Sequence, residues 1–336
     1  MSDDDWREWY RQSPPPPFGP PSTELPKPPS PYNPGWRFQA QSYAPPDPTP
    51  VVQKCCISSK NERRERAQLS PVERCLKRTP LPGNEGDDTI SLEVTGTLQA
   101  GDGHNSQVLT VEVLDSTSPS LSRKGTSLVA KIYDPLYFDD DDGYLDPFRC
   151  MDKYYTHEAN AYPALRELQG RGIPTYFGSY TLSLPVDDDR SRAVRMILIE
   201  YVPGVTMADA QPGDFSQGDR QTIMKEIVDL ESRPRNVILR SPAASSDDDG
   251  DQQFRVVFVD LAHALFNRRR DDPLTLTLNY FLGEYISPLL RWKNSRRLAS
   301  PFEDWVDWEW DPWLTAEFAH TVTSITPEMR ERWADI

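Results

Sequence analysis

An α+β fold of two unequal lobes is predicted, with strands gathered in the first lobe and helices in the second. Three observations carry the prediction. From residue 88 apolar and polar residues alternate with a period of two. Beyond residue 203 the apolar spacing becomes mostly helical. Ahead of both, prolines crowd the chain, 15 of the 33 lying in residues 1–50.

The proline-rich start comes first. Pro14 to Pro17 are consecutive, and Pro20, Pro21, Pro28, Pro29, Pro45 and Pro46 follow. Proline has a fixed φ and no amide donor, so such a run favours solvated polyproline II over a packed core. Residues 1–53 are therefore expected to be a disordered tail, a plain solvated one or one that uses the isolated Trp6, Trp9 and Trp36 as docking side chains, the plain tail being the simpler reading. Residues 54–87 read as a linker with accessory helices; within them residues 60–78 are moderately basic and helix-compatible, with Pro71 placed to start a second short helix.

The first lobe is expected over residues 88–202. Ile90, Leu92 and Val94 alternate with polar residues, as do Leu109, Val111 and Val113, and GTLQAGDGHNS between them suits a hairpin. A third strand is expected at Ser127–Tyr133, a helix at about Met151–Gln169, and further strands near Thr175–Leu184 and Val194–Val202. The second lobe, residues 203–336, is expected to hold helices at Ser216–Glu231, Leu274–Trp292 and Leu314–Val322, with one strand at Phe254–Val259.

Bulk chemistry excludes several classes of function. A net charge of −15 argues against a general affinity for nucleic-acid phosphates. Cys55, Cys56, Cys75 and Cys150 form no CxxC and have no histidine at metal-ligand spacing. No apolar stretch of membrane-spanning length is present, and the acidic start does not read as a signal peptide. A reduced, intracellular protein, cytoplasmic or nuclear, is expected, with no membrane and no nucleic-acid partner.

Two charged residues sit where apolar ones are expected. Lys131 lies within the strand LVAKIY; taken alone, it reads better as a surface lysine than as a ligand-binding one. Glu158 interrupts the helical stripe Tyr155, Tyr162, Leu165. A carboxylate in that stripe is costly to bury without a cation, and Lys131 is the natural partner.

With these residues the chain resembles a protein kinase, whose third strand carries a V-A-I-K lysine and whose next helix carries its glutamate. Val129–Lys131 and Glu158 match in type, order and element. The resemblance implies a two-lobed protein-kinase-like fold binding ATP and Mg²⁺. Gly96, Gly101 and Gly103 occupy the place of the family's phosphate loop, though not in its G-x-G-x-x-G order, and a plain hairpin turn accounts for them equally well. MILIEYVPG resembles the strand entering the hinge, which implies adenine contacts near Glu200, Tyr201 and Val202.

PRNVIL and VVFVDLAHA resemble the end of the catalytic loop and the D-F-G strand, implying that Asn236 and Asp260 hold the metal. The wording PRN and VDLAHA is similar to a divergent fungal group of kinase-like and phosphotransferase-like proteins. One part is missing. The H-R-D position reads Asp229-Leu230-Glu231, so either Glu231 is a substitute catalytic base or the loop has lost roughly ten residues.

The resemblance therefore implies an ATP-binding protein of pseudokinase type. The alternatives are an active phosphotransferase using Lys131, Glu158 and Glu231, and an interaction scaffold that binds no nucleotide. Trp292, Trp305, Trp308, Trp310, Trp313 and Trp333 crowd the C-terminal end. They suit either aromatic packing or, with the proline-rich tail, the docking of a protein partner.

Overall fold

The computed structural model describes residues 27–52, 55–138, 144–230, 236–240, 256–266, 285–293 and 302–333. They fall into two compact units, the first comprising residues 1–167, 175–201 and 261–266, the second residues 168–174, 202–260 and 267–336.

Alternation builds the first unit. Six strands, β1 (Arg37–Ala44), β2 (Asn84–Gln99), β3 (Gln107–Ser116), β4 (Ser127–Tyr133), β5 (Tyr176–Pro185) and β6 (Ser191–Glu200), form a closed barrel in the order β1-β2-β3-β4-β6-β5. All pairings are antiparallel. Every second residue faces one side of a strand, so one core cluster gathers Ile90, Leu92 and Val94 from β2, Leu109, Val111 and Val113 from β3, and Val194, Met196 and Leu198 from β6. Truncating one of these, as in Leu92→Ala, removes about 2–5 kcal/mol of stability.

β4 is buried on both faces. Leu128, Ala130 and Ile132 join the core cluster, while Val129, Lys131 and Tyr133 on the opposite face are also buried. Helices α1 (Lys60–Gln68) and α2 (Pro71–Lys77) precede β2, and α3 (Pro147–Ala164) packs on β4, β5 and β6. α3 starts at the N-cap Asp146, whose carboxylate accepts from the Phe148 and Arg149 amides, and it stops one residue after Pro163. The expected helix at Met151–Gln169 thus begins four residues late and runs five too far.

In the second unit, β7 (Gly204–Thr206), β8 (Val237–Arg240) and β9 (Val256–Phe258) form a small antiparallel sheet. Gly204 is needed there, because a Cβ would lie 2.1 Å from the Leu239 carbonyl oxygen. Helix α4 (Gln217–Leu230) buries Ile223, Met224, Ile227 and Val228, and its Glu226 accepts from the Val256 amide. Among the described residues three shorter helices follow, α5 (Pro288–Arg291), α6 (Trp310–Glu317) and α7 (Pro327–Trp333). Of the helix expected at Leu274–Trp292, only this α5 segment is described as helical, and residues 274–284 lie outside the described residues.

Two expectations are corrected. The two-lobed protein-kinase-like fold is not formed: the described residues make a closed six-stranded barrel and a three-stranded sheet with few helices, not an open strand lobe joined to a helical one. The reason is the second correction. Residues 1–53 are not wholly a disordered tail, because Arg37–Ala44 forms β1, pairing with β2 on one side and with β5 at Gln41 and Ser42 on the other. That strand joins the two edges of the sheet and leaves no open edge.

Candidate functional site

Within the first unit, Lys131 and Glu158 meet. β4 presents Lys131 on the face that α3 covers, and the Lys131 ammonium lies 2.6 Å from Glu158 Oε2. Glu158 is fully buried and the lysine side chain is 9% exposed, so water screens little of the attraction. Tyr133, two residues along the same face of β4, donates its hydroxyl to the same Oε2 at 2.7 Å. The Leu261 amide donates to Oε1 at 3.3 Å. The glutamate therefore holds a cation, a phenol and a backbone amide. Tyr133 and Leu261 were not among the predicted site residues. The period of the strand could have found Tyr133, but the amide leaves no trace in sequence.

Within the second unit, Asn236 and Asp260 are brought to one end of the small sheet. Val237 pairs with Phe258 across β8 and β9, and the Val259 amide donates to the Asn236 carbonyl at 2.9 Å. Asp260 follows at once with φ of 65°, the sole non-glycine residue in the left-handed region among those described. Aspartate tolerates that region better than most residues, yet the conformation still costs free energy that packing must offset. Strain of this kind concentrates at functional sites.

The three glycines lie on the β2–β3 hairpin, where local structure accounts for them. Gly96 faces Thr110, whose hydroxyl would be 2.7 Å from an added Cβ. Gly101 and Gly103 take φ of 100° and 84°, as the turn requires. The Gly101 amide donates to Gln107 Oε1 at 2.6 Å, and its carbonyl accepts from Gln107 Nε2. Asp102 at the tip pairs with Lys27.

Glu200, at the end of β6, accepts from the Thr175 amide and hydroxyl at 2.9 and 2.8 Å. Tyr201 is exposed, and Val202, which belongs to the second unit, is buried. Glu231 lies outside the described residues. In the C-terminal cluster Trp292, Trp305 and Trp310 are buried, and the Trp310 indole donates to the Trp292 carbonyl at 3.0 Å. Trp308 and Trp313 are half-buried and meet edge to face. Trp36 stacks on Phe38 against the barrel core.

No protein-family model matches the chain, and no curated protein matches it either. Among the described residues no helix is long and apolar enough to cross a membrane, and no group of three or more His, Cys, Asp or Glu side chains is placed to hold a metal ion.

Proposed function

We propose that this protein binds a magnesium nucleotide, with ATP as the natural candidate, and transfers its phosphoryl group poorly or not at all. The observation that carries the reading is the buried Lys131–Glu158 pair. Desolvating two charges generally costs as much as their attraction returns, so a well-packed apolar pair would stabilise the strand and helix at least equally well. A lysine fixed as a point charge is what phosphate oxygens require. The magnesium residues and the expected lack of turnover rest in addition on the resemblance of PRNVIL and VVFVDLAHA to kinase motifs.

Asn236 and Asp260 would hold the magnesium ion. Both are hard oxygen donors, and magnesium bound with nucleotide commonly takes one or two protein oxygens, completing its shell with phosphates and water. The three hairpin glycines are not included, since the Gly101 amide is already engaged. Weak or absent turnover is expected because the sequence lacks the H-R-D aspartate that accepts the acceptor's proton.

Thermal denaturation of the full-length chain with and without Mg-ATP tests the reading, with Lys131→Met and Asp260→Asn alongside. Nucleotide at 100 times its dissociation constant should stabilise the wild type by about 2.7 kcal/mol. Asp260→Asn retains a residue that tolerates the left-handed backbone, and it should lose the magnesium-dependent part of that gain. Lys131→Met should lose the gain altogether. A wild-type melt unmoved by millimolar Mg-ATP would leave Lys131 and Glu158 as a structural ion pair and refute the proposal.

A further inference from the structure

Within the first unit a small pocket opens between β4, β6, α3 and the stretch that follows α2. Its free space, counted out to the open mouth, is about 310 Å³, and the enclosed part suits the planar end of a small ligand rather than a whole nucleotide. Neither Lys131 nor Glu158 lines it, so it lies apart from the phosphate site proposed above.

Arg195, on β6, is the unusual group in this pocket. The residue is 9% exposed. It donates to Thr181 Oγ1 and the Tyr43 hydroxyl at 2.8 Å each and to the Leu81 carbonyl at 3.2 Å, all neutral acceptors. Its Nε is buried with no partner. The buried Arg74 and Arg192 each pair with a carboxylate, Glu62 and Asp134, whereas no carboxylate among the described residues pairs with Arg195. A guanidinium keeps its proton in a protein, so its charge has to be met in some other way. The Tyr43 ring, 3.7 Å from the guanidinium carbon, meets part of it. An anion entering the pocket would meet the rest.

Asp152, on α3, lines the same pocket and accepts from the Leu81 amide at 3.1 Å without pairing with Arg195. Burial pushes its carboxyl up to about 6 against the Leu81 amide and Arg195, and the Asp146 carboxylate adds to the rise. Protonated, it can donate to an anion; ionised, it repels one. The other titratable groups of the pocket are engaged: Arg78 with Glu65 and Asp146, Tyr133 with Glu158, and Tyr155 with Ser179. Phe148 and Met151 supply an apolar wall. One unpaired guanidinium beside a carboxyl suits a single negative charge better than a phosphate dianion, and the wall suits a hydrocarbon body.

We propose that this pocket binds a small organic carboxylate, its charged end held between Arg195 and Asp152 and its apolar body against Phe148 and Met151. The site does not depend on the nucleotide reading. NMR titration of the full-length chain, labelled at its methionine methyls, tests it without nucleotide, with Met151→Leu used for assignment. Benzoate, ionised at both pH 5.5 and pH 7.5, should shift the Met151 methyl saturably. Benzamide, of the same shape and uncharged, and inorganic phosphate should not. The benzoate affinity should rise on the order of tenfold from pH 7.5 to pH 5.5, as Asp152 takes up its proton.

Asp152→Asn should bind benzoate more tightly than the wild type at pH 7.5 and equally well at both pH values. Arg195→Gln should lose the binding. Should that variant fail to fold, Asp152→Asn and the benzamide comparison still decide. A Met151 signal that benzoate leaves unmoved at tens of millimolar would overturn the proposal. Equal binding of benzamide would reduce the pocket to an apolar cavity, and equal binding of phosphate would make it a general anion site; either overturns the carboxylate assignment. A wild-type affinity that does not change with pH would overturn the part given to Asp152.

Discussion

At the scale of single residues, burial turns ordinary charges into expensive ones. Removing one partner of the Lys131–Glu158 pair strands the other in a poorly screened site. Lys131→Met is expected to cost about 3–5 kcal/mol. The double variant Lys131→Met/Glu158→Gln should cost less than the sum of the two single changes, with a coupling of about 1–3 kcal/mol in urea melts. Strict additivity would show that the two charges do not stabilise each other. Asp152, also on α3, behaves in the opposite sense. Burial pushes its carboxyl up to about 6, although the Leu81 amide donates to it at 3.1 Å. The folded state then holds the proton more tightly than the unfolded state, so this group's contribution to stability falls as pH rises from about 4 to 6. Asp152→Asn keeps an acceptor for Leu81 and should stabilise by about 1–2 kcal/mol at pH 7.5, with little effect at pH 4. An equal effect at both pH values would show that Asp152 does not titrate in this window.

At the scale of elements, β1 is the piece whose loss matters most to the first unit. Gln41 lies opposite Thr89 in β2 and Thr181 in β5. Proline there brings no amide donor and cannot sit comfortably between two paired neighbours. Gln41→Pro is expected to destabilise by about 3 kcal/mol or more and to expose the edges of β2 and β5, which then pair between molecules. Size-exclusion chromatography should show oligomers that the wild type lacks. A monomer of wild-type stability would mean that the barrel does not depend on β1 for closure. The sequence conceals this strand because Pro31 and Pro34 precede it and Pro45, Pro46, Pro48 and Pro50 follow, yet none lies within Arg37–Ala44. The proline density of the whole stretch outweighed eight residues that lack proline altogether. β4, by contrast, spans Ser127–Tyr133 as its apolar pattern indicates.

At the scale of the molecule, closure separates this chain from the fold its motifs suggest. The order of lysine, glutamate, asparagine and aspartate resembles a kinase, but order along a chain specifies neither how many strands join a sheet nor whether its edges meet. One strand from a region written off as tail converts an open sheet into a barrel. The six clustered tryptophans show a comparable ambiguity. Composition alone allowed packing or docking, and the burial of Trp292, Trp305 and Trp310 makes those three part of the protein's own packing.

The sequence by itself determined five of the six strands of the barrel wall, β2 to β6, and the pairing of Lys131 with Glu158. Both follow from local periodicity and from the cost of burying an unpaired carboxylate. It also marked Asn236 and Asp260 as a pair. Tertiary structure alone decided the closing of the barrel, the left-handed backbone of Asp260 and the engagement of Gly101 by Gln107. Each of these depends on particular side-chain and backbone contacts or on a single backbone angle, and neither leaves a periodic mark that a reader of the chain could recover.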